Sequence, residues 1–133
     1  MKARILLVDD DGSIREGLAL YLSLDLGDTL VIAEAHSGNE AIRLLNDGLR
    51  FDVIVSDYSM NDGDGADLLR HVSANFPLIP FILFTSMVEP VLPRVTGNFC
   101  GVVEKPDFRN LKRKIIEAIC LSPAVARKES VSK

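Results

Sequence analysis

Residues 5–11 read Ile5-Leu6-Leu7-Val8-Asp9-Asp10-Asp11, four apolar residues followed by three carboxylates. The apolar part is too short for a buried helix and lacks the alternation of a half-buried strand. This pattern is typical of a strand that is covered on both faces. Such strands occur in parallel sheets with helices on both sides. The carboxylates then fall at the point where the strand leaves the sheet.

Similar apolar runs recur along the chain and alternate with helical patterns. The predicted strands cover residues 4–8, 30–35, 53–56, 81–84 and 102–104. Ser13 precedes Glu16 by three residues, the spacing of a capping box at a helix start, and Ser37 has the same spacing to Glu40. Asp107 is the predicted N-cap of the last helix. The alternation predicts an α/β fold, a doubly wound parallel sheet of five strands with helices on both faces.

Composition excludes several classes of protein. The chain has 133 residues, a formal net charge of −4, 47% hydrophobic residues and 26% charged residues. This fits one domain with its own core and excludes a disordered chain. No apolar run approaches the roughly 20 residues of a membrane span, or resembles a signal peptide, so we expect a cytoplasmic protein without a membrane partner. Cys100 and Cys120 lie in apolar contexts and are predicted to be reduced core thiols.

Polar residues follow four of the five predicted strands. Asp9 and Asp10 follow the first strand and Asp57 the third. Thr85 follows the fourth strand and Lys105 the fifth. The carboxyl ends of parallel strands meet at one edge of the sheet, where ligands bind. Clustered carboxylates there favour a hard cation such as Mg²⁺, and a carboxylate beside it can act as a nucleophile toward phosphorus, with a lysine and a hydroxyl to stabilise the transferred group.

Five segments, taken in order, resemble the receiver domain of two-component response regulators, the CheY-like family. They are residues 5–11, 51–60, 64–65, 84–86 and 103–106, within a resemblance that spans residues 3–121. The resemblance implies a flavodoxin-like sheet with strand order 2-1-3-4-5. It also implies a receiver domain over residues 1–121, and residues 122–133 are predicted to form a flexible C-terminal tail or the start of a linker.

The resemblance implies a role for each residue at the strand ends. Asp57 would accept a phosphoryl group from a sensor histidine kinase or a histidine phosphotransfer protein. The cofactor would be Mg²⁺, and its ligands would be Asp9, Asp10, Asp57 and the backbone carbonyl of Ser59. Thr85 would hydrogen-bond the phosphoryl group and Lys105 would pair with it. Pro106 would follow a cis peptide that aims Lys105.

A domain of this kind is a conformational switch. It would catalyse its own phosphorylation and dephosphorylation, and would not be an enzyme that turns over an external substrate. An output domain or partner protein would read its state, and homodimerisation, the cognate kinase and the pathway stay open. The acid-rich first half of the chain and the absence of a recognisable DNA-binding segment argue against direct nucleic-acid binding. The alternative is a phosphorylation-independent pseudo-receiver that acts as an interaction module.

Four features depart from the family pattern. Asn61 replaces a common proline and Gly63 a common hydrophobic residue, so we expect this loop to be looser. Val102 stands where the family commonly has an aromatic residue that turns inward on activation. Pro90 and Pro93 lie in the segment that holds the fourth helix of the family, so that helix is predicted to be short, displaced or absent. We therefore expect phosphorylation chemistry to be retained beside an unusual output surface.

Overall fold

The computed structural model describes residues 2–87, 89–94 and 97–121, apart from the side chain of residue 121. The described residues form five strands, β1 Ala3–Val8, β2 Leu30–Ala35, β3 Val53–Ser56, β4 Phe81–Thr85 and β5 Phe99–Glu104. They also form four α-helices, α1 Gly12–Leu26, α2 Gly38–Asn46, α3 Gly65–Asn75 and α4 Phe108–Leu121. A single 3₁₀ turn at Gly27–Thr29 precedes β2.

The strands form one parallel sheet in the order β2-β1-β3-β4-β5. This confirms the predicted fold and strand order. In β1, which lies between two other strands, Ile5 is opposite Ile32 of β2 on one side and Val53 of β3 on the other. The chain leaves β1 toward β2 and then returns past β1 to β3, so the direction of strand order reverses between β1 and β3. That reversal is the place where doubly wound sheets bind their ligands.

The sheet is covered on both faces by helices. Ile5 and Leu7 of β1 pack in a cluster with residues of α1 and α4, whereas Leu6 and Val8 pack with residues of α2 and α3. All residues of β3 and β4 are buried. Because each of these apolar side chains contributes roughly 1.5–3 kcal/mol when fully buried, hydrophobic packing on two faces is the main source of stability. It also explains why the central strands show no alternation.

Short polar side chains define where the helices begin. The carboxylate of Asp11 accepts a hydrogen bond from the N–H of Ser13 at 2.9 Å and caps α1. The capping box predicted from Ser13 and Glu16 is therefore wrong, because the side chain of Asp11 accepts hydrogen bonds from the free N–H groups at the start of α1. The predicted cap Asp107 is confirmed at the start of α4, where it accepts a hydrogen bond from the N–H of Asn110 at 3.0 Å. Each such cap stabilises a helix by about 0.5–2 kcal/mol.

The connection between β4 and β5 contains no helix in its described residues, 86–87, 89–94 and 97–98. The helix expected after β4 is thus absent from these residues, as the two prolines predicted. Pro90 and Pro93 each lack an N–H donor, and inside a helix their rings would clash with the preceding turn. Without a helix in the described part of this connection, Val91 is 78% exposed and Val102 of β5 is 40% exposed.

The loop after β3 is held against the start of α2. The N–H of Gly38 donates to the carbonyl of Gly63 at 3.0 Å, and the N–H of Asn39 donates to the carbonyl of Asp62 at 3.2 Å. The Asp62 carboxylate accepts from Asn39 Nδ2 at 2.8 Å and from Ser37 Oγ at 3.0 Å. These two side-chain bonds lower the pKa of Asp62 below its usual value. Asp62 itself has a positive φ of 59°. The looseness expected from the glycines is opposed by these hydrogen bonds.

Three expectations concern the periphery of the fold. Cys100 is half-buried but Cys120 is exposed, so the prediction of two core thiols is wrong for Cys120. On α4 the apolar face is formed by residues such as Ile115 and Ala118, and Cys120 lies on another side of the helix. No helix in the described part of the chain has the length and hydropathy to cross a membrane. The predicted tail, residues 122–133, lies outside the described residues.

The substitution Gly65→Ala tests how closely α3 approaches the end of β3. A Cβ on Gly65 would lie 2.2 Å from the carbonyl oxygen of Asp57 and 2.8 Å from the Cα of Tyr58, so Gly65→Ala requires the backbone to move. Such overpacking costs about 1–3 kcal/mol in the free energy of unfolding, measured by urea denaturation.

Gly17→Ala is the matched control for that substitution. A Cβ on Gly17, inside α1, would make an ordinary contact of 3.7 Å with Phe108. It should leave stability unchanged or raise it by up to about 1 kcal/mol, because alanine favours the helix. Equal effects of the two substitutions would contradict the close approach of α3 to β3.

Candidate functional site

The carboxyl ends of β1 and β3 bring three carboxylates together. Asp9, Asp10 and Asp57 each offer an oxygen, and these oxygens lie within 4.8 Å of one another. Asp9 and Asp57 are buried, with 5% and 8% of their surface exposed, whereas Asp10 is exposed. The N–H of Asp9 donates to the carbonyl of Ala35 at 3.1 Å, and the N–H of Asp57 donates to the carbonyl of Val8 at 2.9 Å. These bonds extend the sheet by one residue and position both carboxylates.

Lys105 reaches this cluster from the end of β5. Its Nζ donates to Asp9 Oδ2 at 2.7 Å and to Asp57 Oδ2 at 3.0 Å. Its backbone N–H donates to the carbonyl of Thr85 at 3.0 Å, and the Lys105–Pro106 peptide is cis, as the resemblance implied. One ammonium group therefore joins the carboxylates at the ends of two other strands.

Burial and charge shape the titration of these groups. Burial raises the pKa of Asp9 above its usual range, and hydrogen bonds from Lys105 and from the N–H of Asp11 offset this only in part. Burial by itself would lower the pKa of Lys105, but its hydrogen bonds to Asp9 and Asp57 outweigh burial and raise that pKa above its usual value. Lys105 is therefore charged at neutral pH. A single ammonium facing three carboxylates leaves an excess of negative charge at this edge.

Thr85 is the last residue of β4 and lies at the same edge of the sheet. It is buried, and it pairs in register with Glu104, the residue before Lys105. Its Oγ1 accepts a hydrogen bond from the N–H of Met87 at 3.2 Å. A hydroxyl that accepts one hydrogen bond still has its own proton to donate.

An open pocket lies beside the three carboxylates. Its lining residues are Asp10, Tyr58, Ser59, Met60, Asn61 and Asp64. The predicted metal ligands Asp10 and Ser59 therefore border the same space, and Ser59 is exposed. The structure thus brings Asp9, Asp10, Asp57 and Lys105 into one cluster, and it places Ser59 next to that cluster.

Arg15 belongs to this region, although the sequence analysis did not single it out. Its Nη1 donates to the backbone carbonyl of Asp9. Its Nε donates to Glu34 Oε1 at 3.0 Å, an ion pair with the neighbouring strand β2. The position of Arg15 in the first turn of α1, just after the acidic end of β1, was the available signal. Arg15 supports the backbone of Asp9 from the helical side.

Tyr58 is a second residue that the sequence analysis missed. Its N–H donates to Asp57 Oδ1 at 2.7 Å. Its hydroxyl donates to the backbone carbonyl of Val91 at 3.0 Å, in the connection between β4 and β5. The sequence signal that could have identified Tyr58 was its position: it is an aromatic residue with a hydroxyl, directly after the carboxylate at the end of a strand. Tyr58 contacts both the carboxylate cluster and the connection between β4 and β5.

Comparison with known proteins places the chain in a family. Residues 5–116 match the family described as the response regulator receiver domain. The chain is 35% identical over 89 residues to the response regulator protein VraR of Staphylococcus aureus, an alignment that covers 67% of this chain and 42% of VraR. The VraR protein of Staphylococcus saprophyticus gives the same identity and coverage. The chain spans less than half the length of these relatives.

Solved structures show the same fold. The N-terminal domain of a response regulator/sensory box/GGDEF three-domain protein from Carboxydothermus hydrogenoformans aligns with a TM-score of 0.77 at 22% identity, over 91% of this chain and 97% of that chain. A CheY-like receiver domain protein from Methanospirillum hungatei aligns with a TM-score of 0.74 at 21% identity, over 90% of this chain and 94% of that chain. With the family match over most of its length, the chain belongs to the response regulator receiver domains of two-component systems.

Proposed function

We propose that the chain is a Mg²⁺-dependent phosphoacceptor switch, in which Asp57 receives a phosphoryl group from a sensor histidine kinase or a histidine phosphotransfer protein. One observation carries the proposal. The carboxylate of Asp57 is grouped with those of Asp9 and Asp10 within 4.8 Å and is held by Lys105 at 3.0 Å. On one side of the Asp57 carboxylate lie acidic groups that can hold a cation, and on the other lies a fixed ammonium group. A carboxylate nucleophile in this setting is suited to phosphoryl transfer.

In the proposed reaction, one carboxylate oxygen of Asp57 attacks the phosphorus of a phosphohistidine. A P–O bond forms and the P–N bond breaks. The imidazole of the donor leaves with the bonding electron pair as a neutral ring, because its other nitrogen already carries a proton. The product is an aspartyl phosphate, a mixed anhydride that water later hydrolyses to restore the carboxylate and release inorganic phosphate. The ammonium of Lys105 is placed to pair with the phosphoryl oxygens.

The donor set fits Mg²⁺. Every candidate ligand is an oxygen, from Asp9, Asp10 and Asp57 and from the backbone carbonyl of Ser59, and hard divalent cations prefer such ligands. The cluster carries more carboxylates than the single ammonium of Lys105 can neutralise. When bound, the ion would neutralise charge on the transferred phosphoryl group. Asp10, which is exposed, would be the ligand on the solvent side.

The proposed switch uses the hydroxyl of Thr85. This hydroxyl would donate a hydrogen bond to the phosphoryl group, and it now accepts one from the N–H of Met87. If the side chain of Thr85 rotates toward the phosphoryl group, its hydrogen bond with the N–H of Met87 is lost. The path of the chain after β4 would then change. Phosphorylation would shift the equilibrium between two conformations, and an output domain or partner protein would read the shift. In the Carboxydothermus protein of the same fold, the similar domain is the N-terminal one of three domains.

Asp57→Asn tests the phosphoacceptor. We expect acetyl phosphate with Mg²⁺ to add one phosphoryl group to the unaltered chain, detected by intact mass, and to add none to Asp57→Asn or after chelation of Mg²⁺. Asp25→Asn is the matched control and should be phosphorylated normally, because Asp25 lies on α1 and pairs with Lys112. An unaltered chain that takes up no phosphoryl group would favour the pseudo-receiver alternative.

Lys105→Ala separates cation binding from phosphoryl transfer. Without the ammonium, no side-chain cation competes with Mg²⁺ for the oxygens of Asp9 and Asp57, and the Mg²⁺ affinity measured by calorimetry should rise on the order of tenfold, which corresponds to about 1.4 kcal/mol. Phosphorylation by acetyl phosphate should slow by about 100-fold or more, because a fixed stabilising group is lost.

Lys112→Ala is the control for Lys105→Ala. Lys112 is a lysine of α4 that pairs with Asp25 at the surface, so its loss should change neither the Mg²⁺ affinity nor the phosphorylation rate. Weaker Mg²⁺ binding by Lys105→Ala would show that the ammonium does not compete with the cation for these carboxylates.

A further inference from the structure

Tyr58 connects the candidate phosphoacceptor to the connection between β4 and β5. Its backbone N–H donates to Asp57 Oδ1 at 2.7 Å, and its hydroxyl donates to the carbonyl of Val91 at 3.0 Å. Its backbone carbonyl accepts from the N–H of Gly65 at 2.8 Å. A single residue therefore touches the site with its backbone and the connection with its side chain.

The backbone of Tyr58 has little room to move. The first residue of α3, Gly65, approaches so closely that a Cβ there would lie 2.8 Å from the Cα of Tyr58. The Tyr58 ring packs against the core cluster between the sheet and the helices α2 and α3. Because backbone and ring are both held, the position of the hydroxyl is well defined. The hydroxyl can therefore hold the carbonyl of Val91 at one place.

Around Val91, few backbone groups in the described part of the connection between β4 and β5 are held by hydrogen bonds. Val91 is 78% exposed, and the neighbouring Pro90 and Pro93 have no N–H to donate. The N–H of Met87 donates to Thr85 Oγ1 at the start of the connection, and the Val91 carbonyl accepts from Tyr58 four residues later. These two hydrogen bonds tie the connection to the two sides of the site.

We propose that the hydrogen bond from Tyr58 to Val91 is a latch that stabilises the conformation with an unmodified Asp57 carboxylate and opposes its phosphorylation. The inference rests on the proposed function. Phosphorylation of Asp57 would draw the Thr85 hydroxyl toward the phosphoryl oxygens and away from the N–H of Met87. The start of the connection would shift, and the Val91 carbonyl would leave the fixed hydroxyl of Tyr58.

Thermodynamic linkage gives the direction of the effect. An interaction that is present before phosphorylation and lost after it favours the unmodified form, so its removal must favour the modified form by the same factor. For one hydrogen bond between neutral groups that factor is about two- to tenfold. The latch would in this way set how readily the chain switches.

Tyr58→Phe tests the latch, because it removes the hydroxyl and keeps the ring. Beryllofluoride with Mg²⁺ serves as the probe of the phosphoryl group. We expect Tyr58→Phe to bind the probe about two- to tenfold more tightly than the unaltered chain. By NMR, the probe should shift the amide signals of Asp10 and Ser59 in both proteins. Its effect on the amides of Val91 and Leu92 should be large in the unaltered chain and mostly lost in Tyr58→Phe.

The control is Tyr21→Phe. The Tyr21 ring packs on Phe108 of α4, so loss of its hydroxyl should leave both readouts unchanged. Equal affinity and equal shifts at Val91 in Tyr58→Phe and the unaltered chain would overturn the latch and leave the proposed function standing. Failure of the unaltered chain to bind the probe near Asp57 would overturn the proposed function and the latch together.

Discussion

The ammonium of Lys105 between the carboxylates of Asp9 and Asp57 is the interaction on which the rest of the site depends. Two buried carboxylates at the ends of adjacent strands repel each other and lose hydration, a combination that is unfavourable without a cation. Lys105 supplies a positive charge from the end of the edge strand β5. Its Nζ lies 2.7 Å from Asp9 Oδ2 and 3.0 Å from Asp57 Oδ2. The strand order makes this contact possible, because it places the ends of β1, β3 and β5 at one edge. The ion pair is therefore the electrostatic basis of the proposed chemistry.

Much of this arrangement could be predicted from the sequence. Apolar runs marked the strands of residues 30–35 and 53–56 with their observed bounds. For residues 53–56 the reason is that a strand buried on both faces leaves an unbroken apolar pattern. The strand order came from the family resemblance, since spacing alone does not specify which strands pair. The predicted loss of a helix after β4 followed from Pro90 and Pro93, whose effect on a helix is local and needs no tertiary information.

The features that the sequence did not reveal depend on tertiary contacts. Asp11 and Ser13 are both good caps, and only the backbone geometry determined which of them begins α1. The hydrogen bond from Tyr58 to Val91 joins residues 33 positions apart, and Val91 lies in a connection whose described residues form no helix or strand. The loop after β3 is held through Asp62, whose left-handed backbone and two side-chain partners could not be read from the local run of glycines. In each case a short-range pattern allowed several outcomes and packing selected one.

The protein is a receiver domain that carries its carboxylate cluster beside a β4–β5 connection without the expected helix in its described part. Chemical trapping tests the proposed phosphoacceptor, Asp57, most directly. Borohydride reduces an acyl phosphate to an alcohol and would convert a phosphorylated aspartate to homoserine, which peptide sequencing by mass spectrometry locates. After incubation with a phosphorylated histidine phosphotransfer protein and Mg²⁺, we expect homoserine at position 57. Homoserine at position 9 or 10 instead, or at no position, would contradict the assignment of Asp57 as phosphoacceptor.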